Sequence, residues 1–203
     1  MRLRTALLFG SFNPVHLGHL MLAQYVLNFG GVDDVWLVVS PQNPFKAQAG
    51  LAPAERRLLM ARKAVENDDH IAVCDVELGM PVPSYTIKTL DKLATDYPDR
   101  EFVVVMGGDN LAGLPKWREA ERLVREHRVI VYPRPGATTD TSAVEAMGGT
   151  VTLLDAPQLN LSSTQIRQWV ADGHSVAHFV PREVLKDVRE TYGGETERQE
   201  IRQ

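Results

Sequence analysis

Cysteine is nearly missing from this chain. Cys74 is the only one in 203 residues, which excludes an intramolecular disulfide framework and a cysteine-built zinc site. It stands in Ile71-Ala72-Val73-Cys74-Asp75-Val76, which reads as a strand, so a half-buried structural thiol is expected rather than a nucleophile. No apolar run reaches 18 residues, so no membrane-spanning helix is expected. The opening Met1-Arg2-Leu3-Arg4-Thr5 is positively charged, but the apolar run behind it is short and no small-residue cleavage site follows. It does not read as a secretory signal, and the expected location is the cytoplasm. An excess of positive charge is missing too: 22 Lys and Arg against 26 Asp and Glu give a net charge of −4. That argues against a broad surface for a nucleic-acid polymer and leaves room for local positive charge serving one small anion. Internal repeats and low-complexity tracts are absent as well.

What remains is an ordinary globular composition, 44% hydrophobic and 24% charged, of a length that suits one domain. The expected division is a domain over residues 1–192 and a polar tail over residues 193–203. Short continuous apolar runs alternate with helical periodicity. Leu3 to Phe9, Val35 to Val39, Ile71 to Val76, Phe102 to Met106, Arg128 to Tyr132 and Val151 to Leu154 read as strands. Helices are expected over His19 to Phe29, Pro53 to Val65, a stretch capped by Ser84 and carrying Ile87, Leu90 and Leu93, then Ser162 to Ala171 and Pro181 to Thr191. Thr138 to Gly149 is expected to be a loop or short helix. Continuous apolar strands are typical of parallel sheets covered on both faces. The expected fold class is therefore α/β, a doubly wound parallel sheet with right-handed crossovers and closing C-terminal helices.

In such sheets ligands bind beyond the carboxyl ends of the strands. Gly10 to His19 follows the first strand. Gly10 and Ser11 offer free backbone N–H groups at a tight turn, and Gly18 and His19 open a helix whose N-terminus favours an anion. His16 and His19, three residues apart, face one side of a helical turn and can donate hydrogen bonds to a phosphate. A metal reading needs a third ligand that no neighbouring residue offers, and a reading as plain helix-start histidines stays open. Ser162, Ser163 and Thr164 either cap a helix or, with Arg167 one turn on, form a polyphosphate clamp. Trp36 and Trp169 read as packing residues, and His70, His127, His174 and His178 as solvated ones.

Together these segments carry a resemblance. Gly10-Ser11-Phe12-Asn13-Pro14-x-His16-x-Gly18-His19 resembles the His-x-Gly-His signature of the nucleotidylyltransferase superfamily, and Leu161-Ser162-Ser163-Thr164-x-Ile166-Arg167 resembles its second signature. Pro83-Ser84-Tyr85-Thr86, Gly107-Gly108-Asp109, Trp117 and Arg134-Pro135-Gly136 are similar, in the same order, to segments of the bacterial nicotinate-nucleotide adenylyltransferases. The chain departs from that pattern where Phe9 precedes Gly10, where Ser11 and Asn13 replace Thr and Asp, and at Phe45, Lys88 and Gly108.

The resemblance implies a Rossmann-like nucleotidylyltransferase fold. It implies transfer of the adenylyl group of ATP to nicotinate mononucleotide, giving nicotinate adenine dinucleotide and pyrophosphate, a step of NAD biosynthesis. By the same resemblance His16, His19 and Arg167 are the catalytic residues. Gly10, Ser11, Phe12, Gly18, Gly107, Asp109, Ser162, Ser163 and Thr164 bind ATP. Asn13, Lys46, Ser84, Tyr85, Thr86, Trp117 and Arg134 bind the second substrate. Mg²⁺ is expected as cofactor, held mainly by the ATP phosphates, with no metal ligand assigned in the protein. No membrane or nucleic-acid partner is expected, and a homo-oligomer stays compatible. Two rivals are another transferase of the superfamily, acting on a phosphopantetheine or small alcohol phosphate, and a nucleotide-binding module without catalysis. Ser84-Tyr85-Thr86 and Trp117 argue against the first; His16, His19 and Arg167 together argue against the second.

Overall fold

The structure is a computed structural model, and it describes residues 2–41, 50–137 and 139–194. Lys46 and Phe45 lie outside the described residues, as do Thr138 and residues 195–203 of the expected tail. Six strands are formed: β1 (Leu3–Gly10), β2 (Asp34–Val39), β3 (Ile71–Cys74), β4 (Arg100–Gly107), β5 (Val129–Tyr132) and β6 (Val151–Leu153). They pair in parallel, in the order β3-β2-β1-β4-β5-β6. All are segments read as strands in the sequence.

Alternate residues of each strand feed two apolar layers, as the period of two requires. Ala6, Leu8, Leu37, Val103 and Val105 pack on one face with helices α1 (Leu17–Phe29), α2 (Ala54–Ala64), α7 (Ser163–Ala171) and α8 (Leu185–Tyr192). Leu7, Val38, Phe102, Val104 and Met106 pack on the other, with α3 (Thr86–Asp96), α5 (Ala120–Glu126) and α6 (Ser142–Ala146). Both faces are therefore covered, the arrangement expected of a doubly wound sheet. A short helix, α4 (Gly108–Leu111), follows β4 directly.

Strand order reverses between β1 and β4, so the crossovers diverge there and leave a crevice beyond the carboxyl ends of those two strands. The turn after β1 and the start of α4 border it. Several local readings change. α1 begins two residues earlier than its periodicity suggests, with His16 as the residue before it. Ser84 is not the cap of α3: Tyr85 precedes that helix, and the Ser84 hydroxyl instead donates to Glu77 Oε2 at 2.9 Å. Leu59 is exposed, and the inward face of α2 is Arg57, Leu58, Met60 and Ala61. α5 has no counterpart among the helices read from the sequence, although a parallel β4–β5 pair requires a crossover. His127 is not solvated. It is half-buried, its Nδ1 lies 3.2 Å from the Phe102 carbonyl, and burial lowers its imidazole pKa. Cys74 is buried, and burial pushes its thiol upward, as a structural cysteine requires.

Candidate active site

The turn after β1 is built around Phe12, whose φ of 46° is left-handed and whose side chain is only 2% exposed. Its ring lies flat against Gly10: a Cβ there would stand 2.9 Å from Phe12 Cζ. Glycine is thus required by the fold of the turn itself. His16 closes the turn, with its ring stacked on His19 at 3.7 Å between centroids, and the edge of His19 meets Phe12 at 5.0 Å. Gly18 leaves room for the His16 ring, since a Cβ there would approach it to 3.1 Å.

The two imidazoles are not equivalent. The His16 backbone N–H donates to His19 Nδ1 at 3.2 Å, so a neutral His19 carries its proton on Nε2. His16 is 5% exposed, and its Nδ1 is buried without a hydrogen-bond partner among the described residues. Burial, with the Arg134 guanidinium adding to it, holds the His16 imidazole down from 6.5 to about 4. Near neutral pH the ring is therefore uncharged. An anion placed beside it would oppose the effect of Arg134 and favour the proton.

From the opposite side α7 points its N-terminus at the same turn. Its cap is reciprocal: Ser162 Oγ accepts from the Gln165 backbone N–H at 3.2 Å, and Gln165 Oε1 accepts from the Ser162 N–H at 2.9 Å. Ser163 Oγ donates to the Pro14 carbonyl at 2.8 Å. Arg167 Nη1 donates to the Asn13 carbonyl at 2.8 Å, and Nη2 reaches Thr164 Oγ1 at 3.4 Å. Between the turn and α7 lies a cleft of about 320 Å³, within the usual range for a small-ligand site.

Twelve residues expected at the site line this cleft: Gly10, Ser11, Phe12, Asn13, His16, Gly18, His19, Arg134, Ser162, Ser163, Thr164 and Arg167. Two of them, Asn13 and Arg167, are joined by a hydrogen bond across 154 positions of sequence. Asn13, however, spends its side chain inside the protein. Its Nδ2 donates to the Gly50 carbonyl, and its Oδ1 accepts from the Ala52 N–H and the Tyr192 hydroxyl. Asp109 and Gly107 are not among the lining residues; Asp109 Oδ1 lies 3.7 Å from Nε of Arg134, which is one of them. Gly107 ends β4 beside Tyr132 of β5. Ser84, Tyr85, Thr86 and Trp117 are not among the lining residues. They stand at the start of α3 and against the apolar layer on the other face of the sheet, where the Arg118 guanidinium lies 4.9 Å above the Tyr85 ring.

Three supporting residues escaped the sequence reading: Arg57, Glu77 and Tyr192. Arg57 had a signal, because it shares a helical face with Met60, Ala61 and Ala64 and so stands at a core position. Glu77 and Tyr192 had none, since their partners are distant in the chain or lie in an irregular turn. Among the described residues no group of three or more His, Cys, Asp or Glu gathers as a metal-ligand cluster.

A parallel sheet with a switch-point crevice, a glycine-and-histidine turn on one side and a hydroxyl-rich helix start on the other, defines a nucleotidyl-transferring architecture. The chain belongs to the cytidylyltransferase-like family, whose model matches residues 7–169. A probable nicotinate-nucleotide adenylyltransferase of Bacteroides fragilis is 43% identical over 185 residues, covering 91% of this chain and 90% of the relative. One of Bacteroides thetaiotaomicron is 40% identical, covering 93% and 92%. Within its family the chain thus falls with the nicotinate-nucleotide adenylyltransferases. The same fold is found in the Plasmodium falciparum nicotinic acid mononucleotide adenylyltransferase complexed with NaAD. That match has a TM-score of 0.73, 18% identity and coverage of 94% of this chain and 98% of the other.

One expectation follows from His16 alone. Its folded-state pKa is depressed, so between 6.5 and about 4 the unfolded chain holds more protons. The associated stability is complete above pH 6.5 and is lost as the pH falls toward 4; a shift of this size corresponds to about 3 kcal/mol. Urea midpoints of the wild type across that window should therefore fall more steeply than those of His16→Asn. Coincident slopes would refute the assignment.

Proposed function

We propose that the cleft binds the triphosphate of ATP and that the protein transfers the adenylyl group to nicotinate mononucleotide, releasing pyrophosphate and forming nicotinate adenine dinucleotide. The observation that carries this reading is the meeting of the His16–His19 turn with the Ser162–Arg167 helix start across one cleft. The relatives' names supply the second substrate.

The 5′-phosphate of the acceptor is already an anion near neutral pH, so the in-line attack on the α-phosphorus needs no strong general base. The work of the protein is positioning and charge neutralisation. His19, through Nε2–H, and His16 face the α-phosphate and the charge that grows there. Ser162, Ser163, Thr164 and Arg167 hold the β- and γ-phosphates, which depart as pyrophosphate. The N-terminus of α7 adds its partial positive charge. A Mg²⁺ ion would be held mainly by the ATP itself, with no protein carboxylate assigned to it, and would supply charge neutralisation at the phosphates. Gly107 and Asp109 border the adenosine, and Asp109 suits ribose hydroxyls. Ser84, Tyr85, Thr86 and Trp117 receive the pyridine nucleotide across the switch point, so that the dinucleotide product spans the crevice.

The test is pyrophosphate release by the purified protein with MgATP and either nicotinate or nicotinamide mononucleotide. Release with the acid supports the reading; folded protein that binds MgATP and releases none with either acceptor overturns it. Trp117→Ala should raise the KM for the nicotinate nucleotide at least about tenfold, the loss of one aromatic stacking contact. Its KM for MgATP should move far less, and equal shifts would remove Trp117 from the pyridine site.

A further inference from the structure

Arg57 has no solvent exposure, and no other lysine or arginine among the described residues is buried. Among the described residues it also has no carboxylate partner of the kind that usually accompanies a buried cation. Its hydrogen bonds go to four main-chain carbonyls: Nε to Ala52 at 2.9 Å, Nη1 to Ser11 at 2.5 Å and Ser40 at 2.8 Å, and Nη2 to Pro41 at 2.9 Å. Burying a cation is costly, and apolar residues of similar volume often stabilise as well or better. Stability is a poor reason for an arginine on this face of α2.

The carbonyls it gathers suggest a better one. Ser11 lies in the turn between β1 and α1, Ser40 and Pro41 follow β2, and Ala52 precedes α2. One planar guanidinium therefore fixes three backbone stretches against each other beside the cleft, a task for which a rigid fork is suited and an ammonium is not. The Ser11 carbonyl matters most. The Ser11–Phe12 peptide is trans and planar, so a carbonyl held toward Arg57 turns the Phe12 N–H to the opposite side of the turn. Phe12 has the left-handed backbone, which for a non-glycine residue persists only where its surroundings over-determine it. Arg57 holds the peptide before it, and the Gly10 contact holds its ring.

We propose that Arg57 is a positioning residue: it anchors the Ser11 carbonyl so that the Phe12 N–H faces the cleft as a fixed donor to the nucleotide's phosphates. This rests on the reading that the cleft takes ATP. Arg57 touches no substrate, and its charge adds to the field behind the turn.

The experiment compares wild type, Arg57→Met and Arg57→Lys. Turnover and both KM values are measured per folded molecule, MgATP affinity is measured by calorimetry, and exchange of the Phe12 amide hydrogen is followed in the wild type with and without MgATP. Arg57→Met should weaken MgATP binding about tenfold or more and cut turnover about 10- to 100-fold. The KM for nicotinate mononucleotide should stay within about threefold, and Arg57→Lys should recover only part of the loss. In the wild type MgATP should slow exchange at Phe12. A purely structural arginine predicts a lower melting temperature with unchanged MgATP affinity and turnover per folded molecule, and that result overturns the proposal. Equal Phe12 exchange with and without MgATP overturns it too, and decides the matter if neither variant folds. Absence of pyrophosphate from the wild type would remove the proposed reaction while the MgATP affinities and Phe12 exchange still judge Arg57.

Discussion

His19→Ala is expected to lower saturated turnover about 10²- to 10³-fold, the usual cost of removing one preorganised donor from a developing oxyanion. The KM for MgATP should move less, because Ser162, Ser163, Thr164 and Arg167, which we propose hold the departing phosphates, are left intact. The geometry makes His19 the more exposed partner of the pair. The His16 N–H occupies its Nδ1, leaving the proton on Nε2, and the stacked His16 ring fixes its plane. His19→Gln, which keeps a donor near the same place, should recover part of the loss. Turnover of His19→Ala within a few-fold of wild type, by pyrophosphate release, would remove His19 from the chemistry.

The second large effect is expected at Arg167. Its guanidinium has two tasks: it lines the cleft, and it donates to the Asn13 carbonyl at 2.8 Å, bracing the turn that carries the histidines. Arg167→Ala removes both and should cost about 10²- to 10³-fold in kcat/KM for MgATP. Arg167→Lys keeps the charge but cannot hold the Asn13 carbonyl and a phosphate in one plane. It should therefore retain much of the MgATP affinity and less of the turnover. If the lysine variant matched wild type in both, charge alone would account for the residue.

The fold was legible because the strands are short, largely apolar runs, four of them closed by Gly10, Pro41, Gly107 or Pro133, and that pattern has few readings in a chain that alternates with helices. α5 was hidden because it has only seven residues and follows an irregular stretch with a short 3₁₀ turn at Leu114–Lys116. The cleft residues were legible because all of the expected ones but Arg134 cluster in two contiguous motifs. What sequence could not give was the use of each side chain. Asn13 sits in the motif yet turns to Gly50, Ala52 and Tyr192; Ser84 sits at a helix start yet turns to Glu77. Such hydrogen bonds depend on which distant backbone arrives alongside, and no local periodicity encodes that. The low pKa of His16 is of the same kind, a result of burial and of Arg134 from another strand end.

Tyr192 closes α8, and its hydroxyl donates to Asn13 Oδ1 at 2.6 Å across 179 positions of chain. The first motif is thus finished by a residue 179 positions further along the chain. A chain stopped short of Tyr192 still contains every residue that lines the cleft, but Asn13 loses the hydroxyl that completes its hydrogen bonds. The turn after β1 is complete in its hydrogen bonds only once α8 has docked against it. A truncated product is accordingly a worse catalyst than its inventory of cleft residues suggests.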